Sequence, residues 1–171
     1  MKATGVVRRI DELGRIVIPK ELRKNLHIKE GENIEIYTNE NDNIILKKFS
    51  SLKKIVDFAD IIAESIYSVT KYNTLIFDND SVVAYAGKTK KDYQNKYIGD
   101  FLLNNLEFKL TKEKEKIAIV NDREDEVYYN AKKISNGKDK IGGIIVFSSE
   151  KEVNIGQTID IICAFFENYL E

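Results

Sequence analysis

Residues 4–26 constrain the fold of this 171-residue chain more than any other segment. Two short runs rich in β-branched residues, at 4–10 and 15–18, flank a four-residue connection that ends at Gly14. Because glycine adopts positive φ at little cost, this spacing is typical of a β-hairpin. The segment therefore predicts two short strands joined by a tight loop.

A helix and two further strands complete a small first unit. Pro19 is the only proline, and its fixed φ favours a first helical turn, which predicts a helix over residues 20–26. Residues 33–37 alternate with period two, and residues 44–49 resume an extended pattern after a polar turn. The resulting ββαββ unit of residues 1–50 is too small to bury an adequate core alone. We therefore expect an obligate homodimer in which the hairpins of two chains share one core.

Residues 51–171 predict a second domain, of the α+β class with a central antiparallel sheet. Apolar residues recur at three- and four-residue steps in the first and last helices of this domain, 52–70 and 154–170. The strands and one short helix predicted between them cover residues 72–77, 82–86, 98–106 (the helix), 116–120, 127–134 and 140–148. Both terminal helices can lie on one face of the sheet.

The terminal helices of the second domain also have apolar faces on which other chains could pack. The residues of these faces are Ile55, Ile62, Ile66, Ile159, Ile162, Phe166 and Tyr169. Helix pairs from two subunits could form a bundle and join two dimers into a homotetramer. The alternative is that these residues cover the sheet of their own chain.

Charge is distributed unevenly between the two ends of the chain. Seven basic residues against three acidic ones leave residues 1–24 with a net charge of +4, whereas the whole chain carries −1. Such asymmetry favours a polyanion-binding segment attached to a domain of another kind. The residues after Ser50 carry 17 basic and 20 acidic side chains, so this second domain is expected to sense or assemble and not to bind DNA.

Residues 4–23 resemble the AbrB-type swapped-hairpin DNA-binding domain of bacterial transition-state regulators over 20 contiguous positions. The chain as a whole resembles regulators active late in endospore formation, in which a GAF-like domain follows. The GAF resemblance rests on the order and length of the elements. Together these resemblances imply a dimeric or tetrameric transcription factor that binds double-stranded promoter DNA of forespore genes.

The resemblance also implies which residues contact DNA. The basic positions of the family fall on Arg8, Arg9, Arg15, Arg23 and Lys24. Lys24 stands where an arginine is often found, which keeps the charge but loses the planar fork. His27 stands where relatives often have glycine. Without the resemblance, each of these basic residues would be expected to be a solvated surface charge, often paired with a neighbouring carboxylate.

A GAF-like sheet often shelters a small-molecule pocket, but the sequence identifies no ligand. Tyr85, Tyr93 and Tyr97 could line such a cavity, although packing in the core is the favoured interpretation. Gly142 and Gly143 inside a strand predict a bulge or a close backbone approach. Cys163 on an apolar helix is expected to be a small core residue.

Several function classes are not favoured by the sequence. With one cysteine and one histidine, a Cys/His metal site is excluded, and no catalytic constellation or glycine-rich phosphate loop is present. We therefore expect a cytoplasmic protein that is not an enzyme, has no cofactor and does not enter a membrane. The alternatives are an antitoxin, or a metabolite sensor whose first domain only dimerises.

Overall fold

The computed structural model divides into two compact units, Met1–Phe49 and Ser50–Glu171. It describes residues 5–50, 52, 56–105, 109–111, 113–137 and 139–170. The first unit contains one helix, α1 (Lys20–Asn25), and an antiparallel hairpin of strands β1 (Ile34–Thr38) and β2 (Ile44–Lys48). The predicted helix, the polar turn and the two later strands of this unit are confirmed.

The first two predicted strands are not paired strands in this single chain. Residues 11–15 form the predicted turn, in which Gly14 N–H donates to Asp11 O over 2.9 Å and Asp11 N–H donates to Arg15 O over 3.0 Å. Gly14 has a φ of 75°, as expected for a glycine that ends a tight loop. Among the described residues the flanking segments 5–10 and 16–18 have no further backbone partners, and a strand requires a neighbouring ladder.

The second unit has the predicted α+β composition. Its elements are α2 (Val56–Thr70), β3 (Asn73–Asp78), β4 (Val82–Ala86), α3 (Lys90–Tyr93), α4 (Asp100–Asn105), β5 (Lys109–Leu110), β6 (Glu115–Val120), β7 (Arg123–Asn136), β8 (Asp139–Ser148) and α5 (Gly156–Leu170). The sequence did not predict α3 or the two-residue strand β5. β7 begins four residues earlier than predicted.

The strands of this unit form one antiparallel sheet in the order β4-β3-β8-β7-β5, and β6 also pairs with β7. Alternate residues of each strand point to opposite faces. Leu75 and Phe77 of β3 therefore contribute to one core, which α3, α4 and β6 help to close. Ile76, between them, packs in a second core beneath α2 and α5. Both terminal helices lie on the same face, as predicted.

Both features predicted from the glycine pair, a β-bulge and a close backbone approach, occur at Gly142. Ile134 pairs with Gly142 but Ser135 pairs with Lys140, so Ile141 is the extra residue of a β-bulge. A Cβ on Gly142 would lie 2.0 Å from the carbonyl oxygen of Phe77. The backbones of β3 and β8 therefore approach too closely for any larger residue here.

Candidate nucleic-acid interface

The turn that precedes Arg15 is organised by one carboxylate. Asp11 Oδ1 accepts hydrogen bonds from the backbone N–H groups of Leu13 (3.0 Å) and Arg15 (2.8 Å), and Asp11 Oδ2 accepts one from Arg15 Nε (2.7 Å). The hydrogen bonds from the Arg15 backbone and then from its side chain lower the pKa of Asp11 below its ordinary value. The carboxylate is therefore charged at neutral pH, although the Arg15 side chain remains 71% exposed.

Helix α1 carries the next two of the predicted DNA-contacting residues, Arg23 and Lys24, and ends in a Schellman motif. Ile28 N–H donates to Arg23 O over 2.7 Å, and His27 N–H donates to Lys24 O over 3.2 Å. His27 has a φ of 52°, which is the left-handed conformation that glycine adopts most easily. The position where relatives often have glycine therefore keeps the backbone geometry of a glycine.

Lys48, the last residue of strand β2, forms a hydrogen bond with a residue just after the end of α1. Its Nζ donates to the carbonyl oxygen of His27 over 2.8 Å and lies 3.4 Å from Glu32 Oε2. Glu32 Oε2 also accepts the backbone N–H of Lys29 over 2.9 Å. A cation at the carboxyl end of a helix complements the helix dipole and satisfies a terminal carbonyl group.

The structure places the five predicted DNA-contacting residues on three neighbouring segments. Arg8 and Arg9 are exposed before the turn, and Arg8 Nη1 donates to its neighbouring Val7 carbonyl over 3.1 Å. Lys24 is exposed on α1, whereas Arg23 beside it is half-buried. Arg23 Nε is buried and has no hydrogen-bond partner among the described residues. A buried N–H without an acceptor costs free energy. We therefore expect another molecule to supply the acceptor for Arg23 Nε.

The unit that carries these residues has no buried core of its own. Among described residues 5–50, no side chain is buried, and large apolar groups lie open to solvent. Val7 is 85% exposed, Leu13 75% and Val17 72%. Exposed apolar surface on this scale marks an interface.

The predicted oligomerisation faces of the terminal helices are wrong in their residues. Ile66, Ile159 and Phe166 are buried under the chain's own sheet, Ile62 and Ile162 are half-buried beside them, and Ile55 lies outside the described residues. Only Tyr169 of the predicted set is exposed among the described residues. The three- and four-residue spacing that identified these residues marks the inward stripe of each helix, which covers the sheet.

A different apolar stripe of the two helices faces solvent. Phe58 of α2 lies 6.4 Å from Phe165 and 5.3 Å from Tyr169 of α5, measured between ring centroids, and Phe165 stacks on Tyr169 at 5.9 Å. Ile61 and Ile161 extend this exposed surface along their helices. We call the residues Phe58, Ile61, Ile161, Phe165 and Tyr169 the aromatic stripe.

The tyrosines that could line a ligand cavity are divided between core and surface. Tyr85 and Tyr93 are buried and stack at 4.8 Å, and burial raises the pKa of both phenols. The guanidinium of Arg123 lies 5.2 Å from the Tyr93 ring centre and donates to Asp125 through Nε over 2.7 Å. Tyr85 and Tyr93 are core residues, whereas Tyr97 is 49% exposed.

Cys163 is also a core residue, as predicted. It is fully buried on the inward side of α5, and burial raises the pKa of its thiol to about 12. Within the described parts of the chain, no cluster of His, Cys, Asp and Glu residues could hold a metal ion. No helix among those parts is long and apolar enough to cross a membrane.

Comparison with known proteins identifies the chain. Residues 54–167 match the family described as "Stage V sporulation protein T C-terminal, transcription factor". Stage V sporulation protein T of Bacillus subtilis (strain 168) is 38% identical over 156 residues, which are 88% of this chain and 87% of that protein. The chain belongs to the stage V sporulation protein T family. It is thus a transcription regulator of sporulation, and the relationship predicted from its sequence is confirmed.

The first unit has relatives of its own outside this family. Residues 7–54 match the family described as "Antidote-toxin recognition MazE, bacterial antitoxin". The transition state regulatory protein AbrB of Bacillus subtilis (strain 168) is 57% identical over 49 residues, or 29% of this chain and 50% of that protein. The AbrB-type resemblance of the N-terminal segment is therefore confirmed.

Two solved structures are similar to one unit each. The solution structure of the N-domain of the transcription factor AbrB has 56% identity over 29% of this chain and 94% of that chain, with a TM-score of 0.27. The cofactor-binding GAF domain of the nutrient sensor CodY from Clostridium difficile has 15% identity over 65% of this chain and 80% of that chain, with a TM-score of 0.47.

Proposed function

We propose that this regulator binds promoter DNA of late forespore genes as a dimer built from a domain of residues 1–50. Residues 51–171 form a separate regulatory and oligomerisation domain. The two compact units, Met1–Phe49 and Ser50–Glu171, support this division. Since a regulator of transcription acts where the chromosome lies, the protein works in the cytoplasm.

The proposed dimer depends mainly on one observation: the first unit buries none of the side chains described in residues 5–50. A second chain would supply both the missing core and the ladder partners that residues 5–10 and 16–18 lack here. It also offers an acceptor for the buried Nε of Arg23. Pairing two chains in this way removes apolar surface from water, which is the largest favourable term in association.

Dimerisation doubles the cationic surface offered to a duplex. The residues that bind DNA in this proposal are Arg8, Arg9, Arg15, Arg23 and Lys24. Phosphate contacts supply most of the affinity, and arginine forks can also reach guanine edges. A surface without a recognition helix favours modest base reading and sensitivity to the shape of the DNA. If a dimer neutralises roughly six phosphates, log K falls with log salt concentration at a slope near −5.

Substitution of single arginines tests this DNA surface. Arg15→Ala and Arg23→Ala should each weaken binding to promoter fragments about tenfold or more at moderate salt, and reduce the salt slope by roughly two per dimer. Fluorescence anisotropy titrations over a series of salt concentrations measure both quantities. Lys91→Ala removes the same charge from an exposed position in the second unit and should change neither. Unchanged affinity of both arginine variants, with the fold intact by circular dichroism, would refute the proposal.

We further propose that the second domain joins two dimers into a homotetramer through the aromatic stripe. Two helices with exposed aromatic residues can form a bundle with the same pair from another subunit. Phe58, Phe165 and Tyr169 already contact one another and are 41–52% exposed, so a second pair of helices would bury rings that now face water. Linked DNA-binding dimers then gain avidity through effective concentration.

The other functions are less well supported. An antitoxin of the MazE kind would use residues 7–54, but here a folded unit follows them. The similarity to stage V sporulation protein T also covers both units.

A metabolite sensor whose first unit only dimerises would not bind DNA at low salt. The anisotropy titrations therefore distinguish such a sensor from a DNA-binding regulator. We propose that the second domain acts by assembly and regulation and does not catalyse a reaction.

A further inference from the structure

Arg15 is held by its own loop before any DNA is present. The Asp11 carboxylate contacts it twice, through the Arg15 backbone N–H (2.8 Å) and through Nε (2.7 Å). A guanidinium has five N–H donors in a rigid fork, and Nε uses only one of them. The two terminal nitrogens of Arg15 have no hydrogen bond within the described residues, so they remain available to a ligand.

The arrangement fixes the direction of an otherwise mobile side chain. An exposed arginine samples many rotamers, and ordering it on binding costs conformational entropy. A charge-assisted hydrogen bond from a rigid turn reduces that cost, because the fork is already oriented. Two further hydrogen bonds hold the turn: the Asp11 carboxylate accepts the Leu13 N–H (3.0 Å), and the Asp11 carbonyl accepts the Gly14 N–H (2.9 Å).

We propose that Asp11 is a positioning residue for DNA binding, whose carboxylate orients Arg15 so that its terminal nitrogens meet a backbone phosphate. The inference rests on the proposed function. It makes a prediction opposite to that of simple electrostatics. A carboxylate on a cationic surface repels phosphate, so its removal would ordinarily strengthen binding. Removal of a positioning carboxylate weakens binding instead.

Two substitutions that each remove one negative charge distinguish weaker binding from stronger binding. Asp11→Asn keeps an oxygen acceptor for the backbone N–H groups of the turn but loses the charged acceptor for Arg15 Nε. Glu12→Gln removes a carboxylate from the neighbouring residue, which has no hydrogen bond to Arg15. The probe is a fluorescently labelled duplex of the genomic fragment that the unmodified protein binds most tightly. We expect Asp11→Asn to weaken the affinity for this duplex about three- to tenfold. Glu12→Gln should strengthen it.

The same pair in an Arg15→Ala background distinguishes positioning from loss of structure. Without the arginine there is nothing to orient, so Asp11→Asn and Glu12→Gln should then have equal effects on affinity. If Asp11→Asn bound DNA more weakly than Glu12→Gln in that background, Asp11 would only support the loop. That result would overturn the inference. Equal strengthening by both substitutions in the unmodified protein would overturn it as well.

The failure of this inference differs from the failure of the proposed function. If Arg15→Ala and Arg23→Ala bind as tightly as Lys91→Ala, the DNA surface itself is wrong. If they bind more weakly while Asp11→Asn binds as tightly as Glu12→Gln, the DNA surface stands and only the role of Asp11 is refuted.

Discussion

His27 ends helix α1 in a conformation that costs free energy for residues other than glycine. Its φ of 52° lies in the left-handed region, where the Cβ of an L-residue approaches the following carbonyl. Two backbone hydrogen bonds at the end of α1 and the contact of Lys48 with the His27 carbonyl hold the residue there. The strain at His27 is thus maintained by the surrounding structure, next to Arg23 and Lys24 in the last turn of the helix.

Replacement of His27 by glycine should stabilise the first unit. We expect His27→Gly to raise its free energy of unfolding by about 0.5–1 kcal/mol, because relief of the left-handed strain exceeds the extra chain entropy of glycine. The measurement is urea unfolding of the full chain, followed through amide signals of β1 and β2. His27→Ala is the control, since it removes the same side chain but keeps the Cβ. Equal effects of the two substitutions would show that φ is not the cause.

Single residues also mark what a sequence can and cannot predict. Gly14 and Pro19 determine local backbone geometry through their own chemistry, so the turn and the start of α1 followed directly from them. The role of Asp11 was accessible in part, because an aspartate that begins a tight turn often accepts the backbone N–H groups that follow. The half-buried position of Arg23 depends on packing between segments distant in sequence, and no local pattern encodes it.

At the level of elements, helices α2 and α5 explain why periodicity predicted a helix correctly and an interface incorrectly. Apolar residues at three- and four-residue steps mark the side of a helix that is buried, and here they are buried against the sheet of the same chain. Apart from Tyr169, the aromatic stripe lies outside this buried side, where the predominantly polar pattern obscured it. Helix α3 and strand β5 were missed because elements of four and two residues are too short to show a period.

The aromatic stripe predicts the effect of one charge on assembly. Phe165→Asp should convert the tetramer into a dimer, because a carboxylate in an apolar helix bundle would be buried without a partner. Light scattering coupled to size-exclusion chromatography should then give half the mass of the unmodified protein. Asn104→Asp adds the same charge at an exposed position on α4 and should leave the mass unchanged. A tetramer that persists in Phe165→Asp would locate the contact elsewhere.

In the whole molecule, the two units obtain their stability in different ways. The second unit has two cores, one on each face of a six-stranded sheet. Its α+β class followed from the order of its elements: a helix, two strands, a helical insert, three strands and a final helix. Described residues 5–50 of the first unit form a two-stranded hairpin, a short helix and a turn, and none of their side chains is buried. The small size of this unit predicted that it needs a partner chain, whereas the sequence did not predict that segments 5–10 and 16–18 have no backbone ladder among the described residues of one chain.

In the proposed dimer, two chains build one shared core from their first fifty residues. Hydrogen–deuterium exchange of the full chain, read by mass spectrometry, tests it most directly. The described backbone of residues 5–10 and 16–18 has almost no hydrogen bonds within one chain, so protection of these amides requires a second chain. We expect protection there comparable to that of β1 and β2, with loss of protection on dilution. Exchange at the rate of an unstructured peptide at high protein concentration would contradict it.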